Sequence, residues 1–200
     1  MSSAENPDGS GWLGGIFDRR RSDTYPPWSS GATAGFPNFP NHIAQHWLAS
    51  NKIYFYHKHE PFYGFTNFSP HSVVYKGKKY PTSEHLFQSF KFTHKPKLAE
   101  HIRTCSSRPS VAFSEARRFA PEVREDWVLM RLSAQMETTI YNKFMQHKDI
   151  RRQLLATGDA ELIENSDKDS YWGCGADGKG QNELGKALER LRTRLRKERR

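Results

Sequence analysis

Leu184, Ala187, Leu188, Leu191 and Leu195 fall three or four residues apart, directly after a segment crowded with Gly173, Gly175, Gly178 and Gly180. That spacing places the apolar side chains on one face of an amphipathic helix, and such a helix is stable only if the face is buried against other elements. The run from Asp126 to about Gln146 repeats the pattern with Leu129, Leu132, Met136, Ile140 and Phe144, and reads as the central core helix. Shorter helices are predicted from Asn41 to Ala49, from Thr82 to about Phe92 and from Asp149 to Ala156, with Thr82 as an N-cap and Gly158 as a stop. Pro96 and Pro109 each suit the first position of a further helix. Strand character is confined to Lys52–Lys58, to a hairpin over Val73–Tyr80 turning at Gly77, and briefly to Glu161–Asn165. The expectation is a compact single domain, mainly α with a small β element (α+β).

Residues 1–42 are rich in Ser, Gly, Pro and Asp and read as a disordered tail, because they carry too little apolar surface to offset the entropy of ordering. The folded domain is expected over 43–192, followed by a basic end over 193–200. Seven Arg or Lys between Arg190 and Arg200, against Glu198, supply most of the net charge of +9. This run reads as a solvated helix end whose cations suit the helix dipole, or as a weak anchor for nucleic acid or anionic surfaces. No stretch of about 18 apolar residues and no signal-peptide pattern is present, so an intracellular, cytoplasmic protein without membrane contact is expected. Cys105 and Cys174 have no Cys-x-x-Cys spacing and read as reduced thiols.

Two segments carry candidate chemistry. On the helix after Thr82, Glu84, Gln88 and Lys91 are four and then three residues apart and share one face; the plain reading is a solvated Glu–Lys stripe, the sharper one a catalytic face. The second segment, Tyr171-Trp172-Gly173-Cys174-Gly175 leading to Asn182, is a glycine-rich loop entering a helix, where backbone N–H groups and the dipole suit a phosphate. Trp172 can stack on a base or sugar, or simply fill the core. Gly180, Gly185 and Lys186 fit G-x-x-x-x-G-K, but Ala187 stands where a nucleotide-binding P-loop needs Ser or Thr. The histidine spacing forms no zinc motif, and neither a metal nor a cofactor is expected.

Gly64-Phe65-Thr66-Asn67-Phe68-Ser69-Pro70, the Tyr80–Phe92 segment, Leu154–Leu162 and Trp172–Leu188 together resemble, in order, the motifs of the NADAR family. The resemblance covers roughly residues 53–192 and implies a mainly helical domain that cleaves N-glycosidic bonds of phosphorylated ribose compounds. Riboflavin-pathway intermediates or ADP-ribosylated guanine are the substrates it implies, with nucleic acid a partner only in the latter form or through the basic end. A noncatalytic ADP-ribose or nucleotide reader is the alternative. Thr66, Ser69 and Ser89-Phe90 depart from the family pattern. Breaking a ribosyl C1–N bond builds positive charge on the sugar, which a carboxylate stabilises, and Glu84 is the candidate. Either Glu84 orients water directly or Lys91, assigned as an amine nucleophile, attacks C1; Asp169 is assigned to ribose hydroxyls or proton transfer, with an exposed loop residue as the plain alternative. For binding, the resemblance carries Asn67 and Phe68 to the pocket wall, Gln88 to a polar ligand group, and Gly173, Asn182 and Lys186 to the phosphate, with Arg118 as a further phosphate ligand; the structural alternatives are a turn former at Asn67, a core residue at Phe68, a helix-surface residue at Gln88 and an N-cap at Asn182. Glu84, Lys91, Trp172 and the glycine loop should then line one pocket.

Overall fold

The computed structural model describes residues 51–127 and 134–198. The predicted tail, the helix over Asn41–Ala49, and Leu129 and Leu132 lie outside the described residues. The described elements run β1 (Lys52–Phe55), a 3-10 turn (Tyr63–Phe65), β2 (Val73–Tyr75), β3 (Lys78–Tyr80), α1 (Ser83–Phe90), α2 (Pro96–Thr104), α3 (Pro109–Arg118), a second 3-10 turn (Ala120–Glu122), α4 (Ala134–Gln146), α5 (Lys148–Ala156), β4 (Glu161–Glu164) and α6 (Glu183–Lys197). The mainly α fold with minor β structure is therefore as the periodicities predict. β1 stops three residues short of the expected Lys58, because only Ile53 and Phe55 alternate into the core.

β1 pairs in parallel with β4, Ile53 opposite Leu162, while β2 and β3 form an antiparallel hairpin. Lys76 and Gly77 both adopt positive φ in that hairpin, the combination whose twist suits a tight two-residue turn. The other edge of β4 is closed by side chains of the α6 segment. Glu189 Oε1 accepts the Leu162 amide at 2.8 Å, Asn182 Oδ1 accepts the Glu164 amide at 3.0 Å, and Asn182 Nδ2 donates to Leu162 O at 2.8 Å. An edge strand is thereby satisfied without a further strand.

Within the described part of the expected 126–146 helix, Met136, Ile140 and Phe144 are buried as predicted, and α1 is a second central element. Every residue of Ser83–Phe90 is buried, and α1 packs on α2, α3, α4 and the β2–β3 hairpin. Leu86, Phe87 and Phe90 join Phe55, Phe65, Ile140, Phe144, Leu154 and Leu162 in the main core, which Leu184, Leu188, Leu191 and Leu195 of α6 complete. A smaller cluster of Phe92, Ile102, Ala112 and Ala116 sits between α2 and α3. Thr82 precedes α1 as predicted, but its hydroxyl pairs with His85 Nδ1 at 2.9 Å instead of capping a backbone amide.

α6 runs through the expected boundary at 192, with Leu195 buried. Its basic residues are engaged within the domain: buried Arg192 donates to Thr157 Oγ1 and Ala160 O, Arg190 pairs with Glu137, Arg194 with Glu198 and Arg196 with Asp159. Cys105 and Cys174 are free thiols. No helix among the described residues is long and apolar enough to cross a membrane.

Candidate active site

A helix buried on all sides has no solvent face, so each of its polar groups must find a partner inside the protein or wait for one. On α1, Ser89 Oγ donates to Leu86 O, and His85 Nε2 meets Ser106 O at 2.9 Å. Gln88 Nε2 donates to Glu84 Oε1 at 2.6 Å, but Gln88 Oε1 has no partner. Asn67, whose carbonyl accepts the Glu84 amide, likewise keeps a buried Oδ1 unpaired, its Nδ2 meeting only Met136 Sδ at 3.3 Å. Two buried amide oxygens beside one carboxylate are acceptors held ready for donors from outside the chain.

Glu84, Gln88 and Lys91 are 5, 3 and 7 % exposed, which removes the solvated-stripe reading. Burial pushes the Glu84 carboxyl well above its usual range, against the hydrogen bond from Gln88 and the charge of Lys91, and the Asp169 charge pushes it further. Burial pushes Lys91 down, opposed by Glu84 and assisted by the Arg117 charge. The proton affinities of acid and amine thus converge, the condition under which a buried lysine can present a free amine near neutral pH. Lys91 Nζ lies 5.6 Å from the ring centroid of Trp127.

The acidic partners come from the chain after β4. Glu164, at the carboxyl end of that strand, is raised to about 8 by burial and by the charges of Asp169 and Glu84. Its backbone is fixed on both sides, the amide by Asn182 and the carbonyl by the amides of Ser166 and Cys174. Asp169 Oδ1 accepts the amides of Tyr171 and Trp172 at 2.9 and 2.8 Å, which turns the loop and delivers Trp172 edge-on against Phe87 of α1, ring centroids 5.4 Å apart. Phe87 also packs on Trp127. Glu84, Gln88, Lys91, Asp169, Trp172 and Asn67 are thus brought together, and Glu164, Trp127 and Arg117 join them unannounced. Glu164 had one usable signal, a carboxylate ending a strand, where ligands of parallel sheets gather.

The glycine loop does a different job from the one expected. The amides of Cys174, Gly175, Gly180, Gln181, Asn182, Glu183 and Leu184 all donate to carbonyls within the protein, so they are not an open cradle for phosphate. Gly173 is required by crowding, since a Cβ there would meet Ser166 Cβ at 2.8 Å and Glu164 O at 2.9 Å. Asn182 spends its side chain on β4, and exposed Lys186 pairs with Glu183 at 3.0 Å. Arg118 is held by Glu115, whereas its neighbour Arg117 is the guanidinium whose charge reaches Lys91. Phe68 packs on Phe113, the ring over which Arg117 lies. The departing residues face elsewhere: Ser69 Oγ meets Lys143 Nζ at 2.7 Å, and Thr66 Oγ1 donates to Tyr63 O. Two surface hollows of about 580 and 510 Å³ lie beside Arg124 and Arg103, and neither is lined by Glu84, Lys91 or Trp172.

The NADAR domain model matches residues 54–196. An N-glycosidase of Nostoc punctiforme is 39% identical over 145 residues, covering 72% of this chain and 92% of that protein. The N-glycosidase YbiA of Escherichia coli is 39% identical over 151 residues, covering 76% of this chain and 92% of YbiA. A riboflavin biosynthesis protein of Vibrio vulnificus is also 39% identical, over 148 residues that cover 74% of this chain and 40% of that protein. The NMR structure of E. coli YbiA superposes with a TM-score of 0.67, over 74% of this chain and 86% of that one.

Proposed function

The chain belongs to the NADAR family, and we propose that it is an N-glycosidase that breaks the C1–N bond of a phosphorylated ribosyl compound. The observation that carries this reading is the buried face of α1, on which burial brings the proton affinities of Glu84 and Lys91 toward each other while two buried amide oxygens stand unpaired. Those oxygens, Asn67 Oδ1 and Gln88 Oε1, suit the hydroxyls of a ribose. In this reading the Lys91 amine attacks C1 as the C1–N bond breaks, and Glu84 takes the proton the amine loses. Glu164, protonated at neutral pH by its raised pKa, supplies the proton that the departing base nitrogen needs. The C1–O4′ bond then breaks, O4′ taking back the proton held by Glu84, to leave the opened sugar as a Schiff base on Lys91; water adds at C1, the bond from C1 to the Lys91 nitrogen breaks to release the sugar aldehyde and restore the amine, and the proton set free returns to Glu164. Trp172 and Trp127 provide flat faces for the base or sugar, and Arg117 takes the phosphate role in place of Arg118.

The names of the relatives support an early riboflavin-pathway intermediate as substrate, which would release ribose 5-phosphate. The test is a panel of such intermediates and of ADP-ribosylated guanine, incubated with the full chain and read by mass spectrometry. Release of ribose 5-phosphate is expected. Release of ADP-ribose alone moves the substrate to modified guanine, and tight binding without release from either makes the chain a noncatalytic reader.

A further inference from the structure

We propose that His71, His147 and Asp149 form a site for a zinc-class divalent cation that ties the 66–72 loop to the junction of α4 and α5. One ligand atom from each residue lies within 4.8 Å of the other two, and His71 Nε2 stands 3.7 Å from Asp149 Oδ2. Zinc bonds of about 2.0–2.1 Å in a tetrahedron hold ligand atoms roughly 3.3 Å apart, so side-chain rotation of about an ångström closes the site.

Both imidazoles are wired for ligation. His147 Nε2 donates to Ser72 O at 2.7 Å, which leaves the lone pair on Nδ1. Ser69 Oγ directs its hydrogen at the carbonyls of Thr66 and Gly64, at 3.1 and 3.3 Å, and receives Lys143 Nζ. It therefore faces His71 Nδ1, at 3.0 Å, as an acceptor, so His71 keeps its lone pair on Nε2, the atom that faces Asp149. Oxygen partners that hold the second nitrogen of each ligating histidine fix tautomer and ring orientation.

Lys143 is the cation that opposes a metal here. Its Nζ is turned onto Thr66 O and Ser69 Oγ, at 2.6 and 2.7 Å. Asp149 is 59% exposed at its side chain, which opens the fourth position to water. The loop that the ion would clamp begins with Thr66 and carries Asn67. The role is structural and stands whether or not the proposed glycosidase activity is correct. Sequence spacing hides the site because its histidines come from distant segments.

The test uses the full chain, stripped with chelator and titrated with zinc chloride, followed by calorimetry and thermal unfolding. One equivalent should bind and raise Tm. Asp149→Asn and His147→Ala should each weaken zinc binding at least about tenfold, and cobalt(II) should give the intense visible absorption of a four-coordinate ion in the parent but in neither variant. Absence of stoichiometric binding overturns the proposal, as does zinc binding that is unchanged in both variants and so belongs to other histidines such as His57 and His59.

Discussion

Replacing Asn182 by Ala separates a ligand role from a structural one. Asn182 sits at φ 53°, in the left-handed region that asparagine tolerates and alanine does not. Its amide closes the free edge of β4 through Glu164 N and Leu162 O. Alanine would strand both backbone groups, at about 1–3 kcal/mol each, and add about 1 kcal/mol of left-handed strain. The sum is roughly 3–7 kcal/mol, and at about 2–4 °C per kcal/mol for a domain of this size the expected fall in Tm is roughly 6–28 °C. Circular dichroism melts of parent and variant measure it directly. The low end leaves enough folded protein for kinetics, in which kcat should fall as well, because Glu164 loses its backbone anchor. A Tm within about 2 °C of the parent with a raised KM and unchanged kcat would refute this reasoning and return Asn182 to the phosphate.

Lys91→Ala should nearly abolish turnover and borohydride should trap a sugar adduct on the parent, whereas substantial activity in Lys91→Arg would remove the nucleophile role, since arginine offers no free amine near neutral pH. The needed forms are the Glu84 carboxylate, with its pKa raised by burial, and the free Lys91 amine, with its pKa lowered. kcat/KM should therefore climb with pH through neutrality and fall again above about 8, where Glu164 loses the proton it supplies to the leaving base, and Glu84→Gln should remove most of the rate; a profile flat from pH 6 to 9 contradicts the pairing. Lys143 binds its proton less tightly folded, near 7, than unfolded, near 10.4, so the unfolded chain holds more protons between those values. Stability should rise with pH across that window by up to about 5 kcal/mol in order of magnitude, and urea titrations of Lys143→Met should lose that slope. Gly185→Ala should lower Tm although alanine ordinarily stabilises a helix by about 1 kcal/mol, because the new methyl would collide with Leu162 O and the Asn182 amide; a raised Tm would show that α6 and β4 can part freely.

What the sequence could reveal of the fold was whatever a single segment determines. Leu184 to Leu195 repeat often enough to identify α6, and Pro96 and Pro109 mark helix starts because their fixed φ needs no tertiary help. The centrality of α1 was hidden for the opposite reason. It is only eight residues long, its apolar stripe is limited to Leu86, Phe87 and Phe90, and the burial of the polar face between them is imposed by the helices and hairpin packed around it.

The same burial explains which parts of the candidate site could be read. Glu84, Gln88 and Lys91 share a face because 3.6-residue periodicity alone requires it, so their mutual placement was legible, but whether water reached that face was not. Glycine was the misleading signal. Close packing and anion binding both select it, and here Gly173 and Gly185 let backbones touch, with the amides of the loop spent on holding its own shape. Glu164 illustrates the complement, as a strand-end carboxylate acquires its raised pKa first from burial and then from the charges of Asp169 and Glu84, all of which the fold supplies. A lysine whose charge is costly and a glutamic acid that keeps its proton are both products of burial, and both are needed if one pocket is to offer a nucleophile and an acid at neutral pH. The chemistry proposed for this chain therefore depends less on which residues α1 carries than on the packing that denies them water.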